Sequence, residues 1–137
     1  MTQISSPVAL PDYVTFPTVA IDHKGWGQEI FLINCPDYCA KILCFDAGQD
    51  GSLHFHREKH ESWYLLEGEL RFEWIDTERA ETNMKILRAG DMVDIPRLCP
   101  HKVTAITACR ILEVSTPHYH FDSYRIAPGA SQRRAMA

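Results

Sequence analysis

The chain has 137 residues, 45% hydrophobic and 23% charged, with a formal net charge of −4 and a pI near 5.9. These values fit one soluble globular domain with a buried core. They exclude the basic surface that nucleic acids and anionic membranes attract, and no apolar run approaches the ~20 residues of a membrane span. We therefore expect a small-molecule substrate and no nucleic-acid or membrane partner. The start of the chain lacks the regions of a secretory signal, which favours a cytoplasmic protein.

Short β-rich runs separated by turns recur along the chain. They are predicted at residues 18–22, 27–34, 38–46, 53–56, 62–68, 69–76, 85–91, 92–96, 101–106, 109–115 and 120–126. Runs repeated every ~8–12 residues, with Gly, Pro, Asn and Asp between them, are typical of an all-β sandwich or barrel. Segment 76–83 is either one helical turn or a long polar hairpin loop.

The domain organisation predicted from these runs has three parts. Residues 1–17 form an N-terminal arm, residues 18–126 form a barrel, and residues 127–137 form a flexible C-terminal tail. Arg133 and Arg134 lie in this tail and are interpreted as solvated. The odd number of cysteines, without a secretory signal, predicts reduced thiols at Cys35, Cys39, Cys44, Cys99 and Cys109.

Four ionisable side chains are predicted to converge inside the barrel. Because side chains alternate along a strand, His54 and His56 point the same way, about 6–7 Å apart. Glu61 shares a face with Trp63, and the strand that begins at His101 has the same inward parity. A buried carboxylate is costly unless it is paired or bound to a metal. Three imidazoles and one carboxylate suit one divalent ion such as Zn, Fe, Mn, Co or Ni.

The spacing of these residues resembles the cupin superfamily. The first cupin motif, Gly-x5-His-x-His-x3–4-Glu-x6-Gly, is matched at Gly48, His54, His56, Glu61 and Gly68. The second, Gly-x5-Pro-x-Gly-x2-His-x3-Asn, is matched at Gly90, Pro96 and His101, but Leu98 replaces Gly and Ala105 replaces Asn. The resemblance implies a single-domain cupin double-stranded β-helix, or jelly-roll barrel. It also implies one metal ion per chain, held by His54, His56, Glu61 and His101.

A narrower resemblance covers roughly residues 24–126. "GWGQEIFLIN", "YCAKILCF", "VDIPRLCPH" and "ILEVSTPHYHFDSYRI" look like the cupin domain of type II phosphomannose isomerases and related sugar-phosphate cupins. The type II enzymes usually have Gln at the position of His54, so this sequence departs from them there. The resemblance implies that Lys41, Lys59 and Arg125 are the cationic residues of the site.

These patterns predict a metal-dependent enzyme that isomerises a sugar or sugar phosphate between aldose and ketose. Lys59 or His60 would assist proton transfer, since both precede Glu61 near the expected mouth. Lys41 and Arg125 would bind an anionic group of the substrate. An internal salt bridge is an equal alternative for Lys41, and pairing with Asp122 is one for Arg125.

Two other functions remain open at this stage. The same ligands could hold Fe(II) or Ni(II) for dioxygenase chemistry on a small polar substrate, or the domain could bind metal and sugar without catalysis. A second His-x-His pair, His118 and His120, is interpreted as loop or edge residues. Strand edges and aromatic content favour a homodimer.

Overall fold

The computed structural model describes residues 6–136. Within this range, eleven strands and one helix are present: β1 (Ala20–Lys24), β2 (Gly27–Asn34), β3 (Cys39–Phe45), β4 (Leu53–Phe55), β5 (Glu61–Glu67), β6 (Glu69–Asp76), β7 (Glu81–Arg88), β8 (Met92–Ile95), β9 (His101–Ala105), β10 (Cys109–Ser115), β11 (Tyr124–Ala127) and α1 (Ala130–Met136).

The strands form two antiparallel sheets. One has six strands in the order β1-β2-β3-β10-β5-β8, and the other has five in the order β11-β4-β9-β6-β7. The late strand β10 lies between β3 and β5, and β9 lies between β4 and β6, so the chain crosses repeatedly between the sheets. This topology confirms the predicted all-β jelly roll.

The core lies between the sheets and changes character along them. Toward one end it is apolar, with Ile111 and Leu65 each 1% exposed and the Trp26 ring stacked 4.0 Å from that of Phe45. Burying one such aliphatic side chain contributes about 1.5–3 kcal/mol. The same inward rows of β3, β5 and β10 also contain charged residues, namely Lys41, Glu61 and Glu113. A buried polar region is therefore built into the barrel.

The C-terminal segment, which the sequence predicts as a flexible tail, contains a short helix. Helix α1 begins at Ala130, which is 4% exposed and belongs to the apolar core. The backbone N–H of Gly25 donates to Ser131 Oγ at 2.9 Å, and Arg133 forms an ion pair with Asp50. Polar contacts therefore attach this short helix to the barrel. Such contacts do not require an apolar periodicity in the sequence, so no such pattern predicted the helix.

The polar segment between β6 and β7 forms a hairpin rather than a helical turn. Asp76 pairs with Glu81, and residues 77–80 make the turn. Strand β7 begins four residues before the predicted start at 85. The prediction did not include these first residues because they are mostly exposed and polar. An edge strand of this kind lacks the alternating apolar pattern on which the prediction depended.

The N-terminal arm is described from residue 6 onward, and the prediction for residues 1–5 lies outside the described residues. It reaches β1 without forming a strand, and the N–H of Val8 donates to Asn34 O at 2.9 Å. In the described part of the chain, no helix is long and apolar enough to cross a membrane. The homodimer stays a prediction; the outer face of the six-stranded sheet exposes Tyr64, Met92 and Val114.

Candidate metal centre

Three histidine side chains meet between the two sheets. His54 lies in β4 and His56 directly follows it, while His54 pairs across the sheet with His101 at the start of β9. The His54 ring centroid lies 4.8 Å from that of His56 and 4.6 Å from that of His101. One potential ligand atom from each ring lies within 4.8 Å of the other two, so one ion can contact all three.

All three imidazoles are fixed by the same kind of hydrogen bond. Each Nδ1 lies 2.7–2.9 Å from a backbone carbonyl oxygen, in the pairs His54 with Ser52, His56 with Asp122, and His101 with Cys99. Because a carbonyl oxygen only accepts, Nδ1 carries the proton and Nε2 carries a lone pair. Histidine ligands of metals are commonly oriented in this way. Nε2 is therefore the atom of each ring that is available to a metal ion.

Glu61 adds a carboxylate to the cluster. Its Oε2 lies 3.1 Å from His56 Nε2 and 3.9 Å from His101 Nε2. Glu61 Oε2 and His101 Nε2 are both buried and have no hydrogen-bond partner among the described residues. Buried acceptors without a donor are costly, and a divalent cation between them would satisfy both. These residues therefore fit the metal ion that the sequence predicts.

The electrostatics of the cluster favour the protonation states of metal ligands. Burial, together with the neighbouring His101 and His56, lowers the pKa of His54 to about 3. Burial also lowers the pKa of His101 from its usual value, although Glu61 opposes this shift. Burial alone would raise the pKa of Glu61, but the neighbouring His56, His101 and Lys59 hold it well below its usual value. His54 and His101 are therefore neutral, and Glu61 is an anion, at neutral pH.

The turn before β9 joins two of the ligands. The N–H of Leu98 donates to His56 O at 2.7 Å, and Cys99 O accepts the hydrogen bond from His101. Leu98 has φ of 69°, in the left-handed region, at the position where the cupin motif has glycine. A residue with a Cβ atom costs about 1–2 kcal/mol in this region. The departure at Leu98 therefore keeps the turn but places a strained residue in it.

Lys41 and Lys59 are both buried beside the cluster and share one carboxylate. Lys41 Nζ lies 3.2 Å from Glu29 Oε1 and 3.8 Å from Glu113 Oε2, and Lys59 Nζ lies 3.4 Å from the same Glu113 oxygen. Burial alone would lower the pKa of Lys41, but Glu113 and Glu29 raise it above its usual value. The internal salt bridge considered for Lys41 is therefore present, with these two acids rather than with Glu61.

Arg125 lies at the exposed rim of the same site. Strand β11 pairs with β4, which places Arg125 opposite His54. Its side chain lines the cavity that contains the histidines, and it has no ion pair with any residue between 6 and 134. Asp122, the alternative partner, accepts hydrogen bonds from the backbone N–H groups of residues 57–59 instead.

His60 does not join the site. Its side chain is 42% exposed, and Nε2 lies 2.8 Å from Asp94 Oδ1, which also accepts a hydrogen bond from Ser62. The prediction placed His60 with Lys59, but these successive residues point in opposite directions. The structure therefore does not bring His60 to the cluster, whereas it does bring Lys59.

His118 is one of the residues that the sequence interpretation did not assign to this site, as are Glu29 and Glu113. Its Nδ1 lies 3.0 Å from Lys59 Nζ, and its ring meets Phe31 edge-on with centroids 5.4 Å apart. His120, the other member of the second His-x-His pair, lines the cavity but is exposed. The interpretation of both histidines as loop or edge residues agrees with their place between β10 and β11, but the sequence did not indicate that His118 contacts Lys59.

A cavity of about 370 Å³ contains these groups. Its lining includes the four predicted ligands, Lys41, Lys59, Arg125 and two residues of α1, Ser131 and Gln132. A larger cavity of about 740 Å³ opens between the edge strands β7 and β8 and contains none of the predicted site residues. We therefore place the candidate site in the smaller cavity, because convergent polar groups indicate a binding site better than volume does.

The fold and this cluster define a single-domain jelly-roll protein with a candidate mononuclear metal centre. The family model described as "Cupin domain" matches residues 41–115, which is more than half of the chain. The chain belongs to the cupin family. The matched segment includes His54, His56, Glu61 and His101. Among curated proteins, none matches this chain.

Several solved structures share the fold. CapF, with the inhibitor 3-isopropenyl-tropolone, has a TM-score of 0.72 at 17% identity, covering 86% of this chain and 36% of that one. Oxalate decarboxylase from Bacillus subtilis at pH 4.6 has a TM-score of 0.72 at 16% identity, covering 84% and 34%. KdgF from Halomonas sp. has a TM-score of 0.59 at 22% identity, covering 66% and 78%.

These structural similarities show the fold alone, since all three identities are low. The chain spans about a third of the length of the CapF and oxalate decarboxylase chains that it matches. The narrower resemblance to type II phosphomannose isomerases stays a prediction.

Proposed function

We propose that this cupin is a metal-dependent enzyme that isomerises a sugar or sugar phosphate between its aldose and ketose forms. One observation carries the proposal: the candidate metal cluster lines a cavity of about 370 Å³ that also contains Lys59 and the unpaired Arg125. This volume is in the usual range for a small-molecule site. The cavity therefore offers both a metal centre and a cationic group to a polar substrate with an anionic end.

The metal ligands in this proposal are His54, His56, Glu61 and His101, with one ion per chain. Zn, Fe, Mn, Co and Ni all accept such a set of nitrogen and oxygen donors. Mn belongs in any test because the structural neighbour from Bacillus subtilis, oxalate decarboxylase, has Mn(II) centres. When bound, such an ion polarises a carbonyl oxygen and stabilises negative charge that develops on it.

Arg125 is assigned to the anionic end of the substrate. Its guanidinium is exposed at the rim, and its planar fork suits two hydrogen bonds to a phosphate. Lys41, which the sequence also assigned to this role, already pairs with Glu29 and Glu113. We therefore assign Lys41 to holding these acids in place rather than to binding substrate.

Lys59 is assigned to proton transfer near the cluster. Its side chain is 2% exposed, and its Nζ lies close to both Glu113 and His118. The Lys59 ammonium would donate a proton to a substrate oxygen, and the neutral amine that results would take a proton back from the substrate in a later step, which Glu113 favours because it stabilises the ammonium form. This role replaces the shared assignment to Lys59 or His60.

The test begins with elemental analysis of natively purified protein. Protein loaded with each candidate metal is then incubated with a panel of aldoses and aldose phosphates, and ketose formation is followed by NMR. We expect conversion by wild type, loss of bound metal and of conversion in His56→Ala, and a raised KM for phosphorylated substrates in Arg125→Gln. A metal-loaded protein that converts no panel member would refute the proposal.

Two further measurements separate the alternative functions. Oxygen consumption by the iron-loaded protein with a panel member present would favour a dioxygenase. Saturable binding of sugar phosphates without turnover, measured by calorimetry, would favour a non-catalytic binding protein. His56→Ala loses metal under all three functions, so it tests the ligand assignment separately from the reaction.

A further inference from the structure

His118 is held in one orientation although it lies in the loop between β10 and β11. Its backbone N–H donates to Asn34 Oδ1 at 3.0 Å, and its carbonyl oxygen accepts from Asn34 Nδ2 at 2.9 Å. Its ring packs edge-on against Phe31, and Nδ1 lies 3.0 Å from Lys59 Nζ. Both the backbone and the ring are therefore fixed at the wall of the cavity.

The contacts of Lys59 determine the tautomer of His118. Lys59 Nζ also lies 3.4 Å from Glu113 Oε2, and a carboxylate oxygen only accepts. An ammonium group between these two partners donates to both, so His118 Nδ1 is an acceptor. Burial and the positive charges of Lys41 and Lys59 lower the pKa of His118 to about 2, so the ring is neutral. The single ring proton of His118 is therefore on Nε2.

This tautomer is the opposite of the one found in the metal cluster. In His54, His56 and His101 the proton is on Nδ1, and Nε2 is a ligand atom. In His118 the proton is on Nε2, which has no hydrogen-bond partner within residues 6–134. This nitrogen is not among the fully buried unpaired atoms of the described residues, so it is accessible. Of these four imidazoles in the cavity, three therefore offer a lone pair at Nε2 and one offers an N–H.

We propose that His118 is a catalytic residue that donates the hydrogen on Nε2 to an oxygen of the substrate. The inference rests on the proposed function, and it adds His118 to the residues to which that proposal gives a role. A neutral imidazole in a buried site can polarise a carbonyl and stabilise the oxyanion as charge develops, as in other isomerases. Lys59 then has a second role, because it fixes the donor tautomer of His118.

The first test is a direct observation of the tautomer. Imidazole 15N NMR of the zinc-loaded protein, with His118 assigned from the spectrum of His118→Phe, is expected to show a neutral ring with the proton on Nε2. The three ligand rings are expected to show the proton on Nδ1. A His118 that carries its proton on Nδ1, or carries two protons, would overturn the inference.

The second test is kinetic. His118→Phe keeps the ring and removes the donor, so kcat for the substrate found in the panel is expected to fall about 10²–10³-fold. His118→Gln retains an N–H donor and is expected to recover part of the loss. His23→Phe, on the exposed face of β1 and away from the cavity, is the matched control and should leave kcat unchanged. Metal content, measured for each variant, should equal that of wild type.

The two proposals fail in different ways. If wild type isomerises a panel member and His118→Phe retains full kcat, the role of His118 is wrong while the isomerase stands. If wild type isomerises none, the proposed function is wrong, and the panel is added to the zinc-loaded protein during NMR. A panel member that shifts the His118 Nε2–H resonance would support donation to a bound oxygen, and no shift with any member would overturn it.

Discussion

Asp122 binds Lys59 through the backbone: its carboxylate accepts the Lys59 N–H at 2.9 Å. The same carboxylate accepts the N–H groups of Arg57 and Glu58 at 2.8 and 3.0 Å, and its carbonyl oxygen accepts the Nδ1–H of His56. Asp122 is 1% exposed. One buried residue therefore fixes the loop between two of the predicted metal ligands and also orients the first of them.

Asp122→Asn is expected to weaken metal binding. The variant loses the negative charge that three N–H groups share, and it places an amide donor against one of them. We expect metal affinity to fall about 10–100-fold, as for other residues that orient ligands. The free energy of unfolding should fall by about 1–3 kcal/mol, because buried N–H groups lose their acceptor. Metal titration against a chelator and urea unfolding measure the two effects.

A second turn aspartate provides the control for this prediction. The carboxylate of Asp91 accepts a hydrogen bond from the N–H of Arg88, in the exposed turn between β7 and β8. Asp91→Asn should therefore leave metal affinity unchanged and alter stability only slightly. Wild-type metal affinity in Asp122→Asn would show that the loop needs no such anchor.

Glu61→Gln is expected to stabilise the metal-depleted protein while it weakens metal binding. Without metal, the Glu61 carboxylate is a buried anion beside nitrogen lone pairs, and an amide N–H at this position can donate to His56 or His101. Satisfying these acceptors should add about 1–3 kcal/mol to the free energy of unfolding in urea. With metal bound, the free energy of unfolding should be lower for Glu61→Gln than for wild type, because the variant lacks the anionic ligand. Glu67→Gln, an exposed change at the end of the same strand, should neither stabilise the metal-depleted protein nor weaken metal binding.

Lys41→Met is expected to destabilise the protein strongly. The variant leaves Glu29 without its nearest cation and removes one of the two cations at Glu113. Removing one partner of a buried ion pair typically costs about 3–5 kcal/mol. Urea unfolding should show this loss, and the double variant Lys41→Met/Glu29→Gln should recover part of it. Arg71→Met breaks an exposed pair with Glu73 and should cost less than about 1 kcal/mol. A double variant no more stable than Lys41→Met would contradict the pairing.

Strand parity explains how far the sequence could predict the site. His54, His56, Glu61 and His101 lie in or next to strands, where alternation determines the face on which a side chain lies. The structure brings them together because both sheets direct these rows inward. The predicted β runs likewise correspond to observed strands, apart from their ends, and the cupin family is confirmed.

Loop residues account for most of the differences. Alternation does not extend to the loop before β5, so the sequence could not distinguish the buried Lys59 from the outward His60. His118 depends on Asn34, 84 residues away, for its orientation. Helix α1 is attached by Ser131 and by other polar contacts, which give no hydrophobic period. These features depend on tertiary contacts that no local pattern in the chain reports.

The metal-depleted protein is expected to lose stability as the pH falls below about 6.5. In the folded state the pKa of His118 is lowered to about 2 and that of His54 to about 3, whereas an unfolded histidine has a pKa near 6.5. Below 6.5 the unfolded state therefore binds protons that the folded state does not, and stability decreases on acidification. Each ring should contribute about 1 kcal/mol between pH 7.5 and 5.5.

Urea unfolding of wild type and His118→Phe at several pH values in this interval measures how much His118 contributes to the loss of stability on acidification. The variant lacks the titrating ring, so its stability should decrease less on acidification, by about 1 kcal/mol over the interval. His23→Phe, which removes an exposed ring, should decrease as wild type does. Equal pH dependence in wild type and His118→Phe would mean that His118 takes up its proton in the folded state, contrary to the neutral ring that its burial and lysine neighbours require.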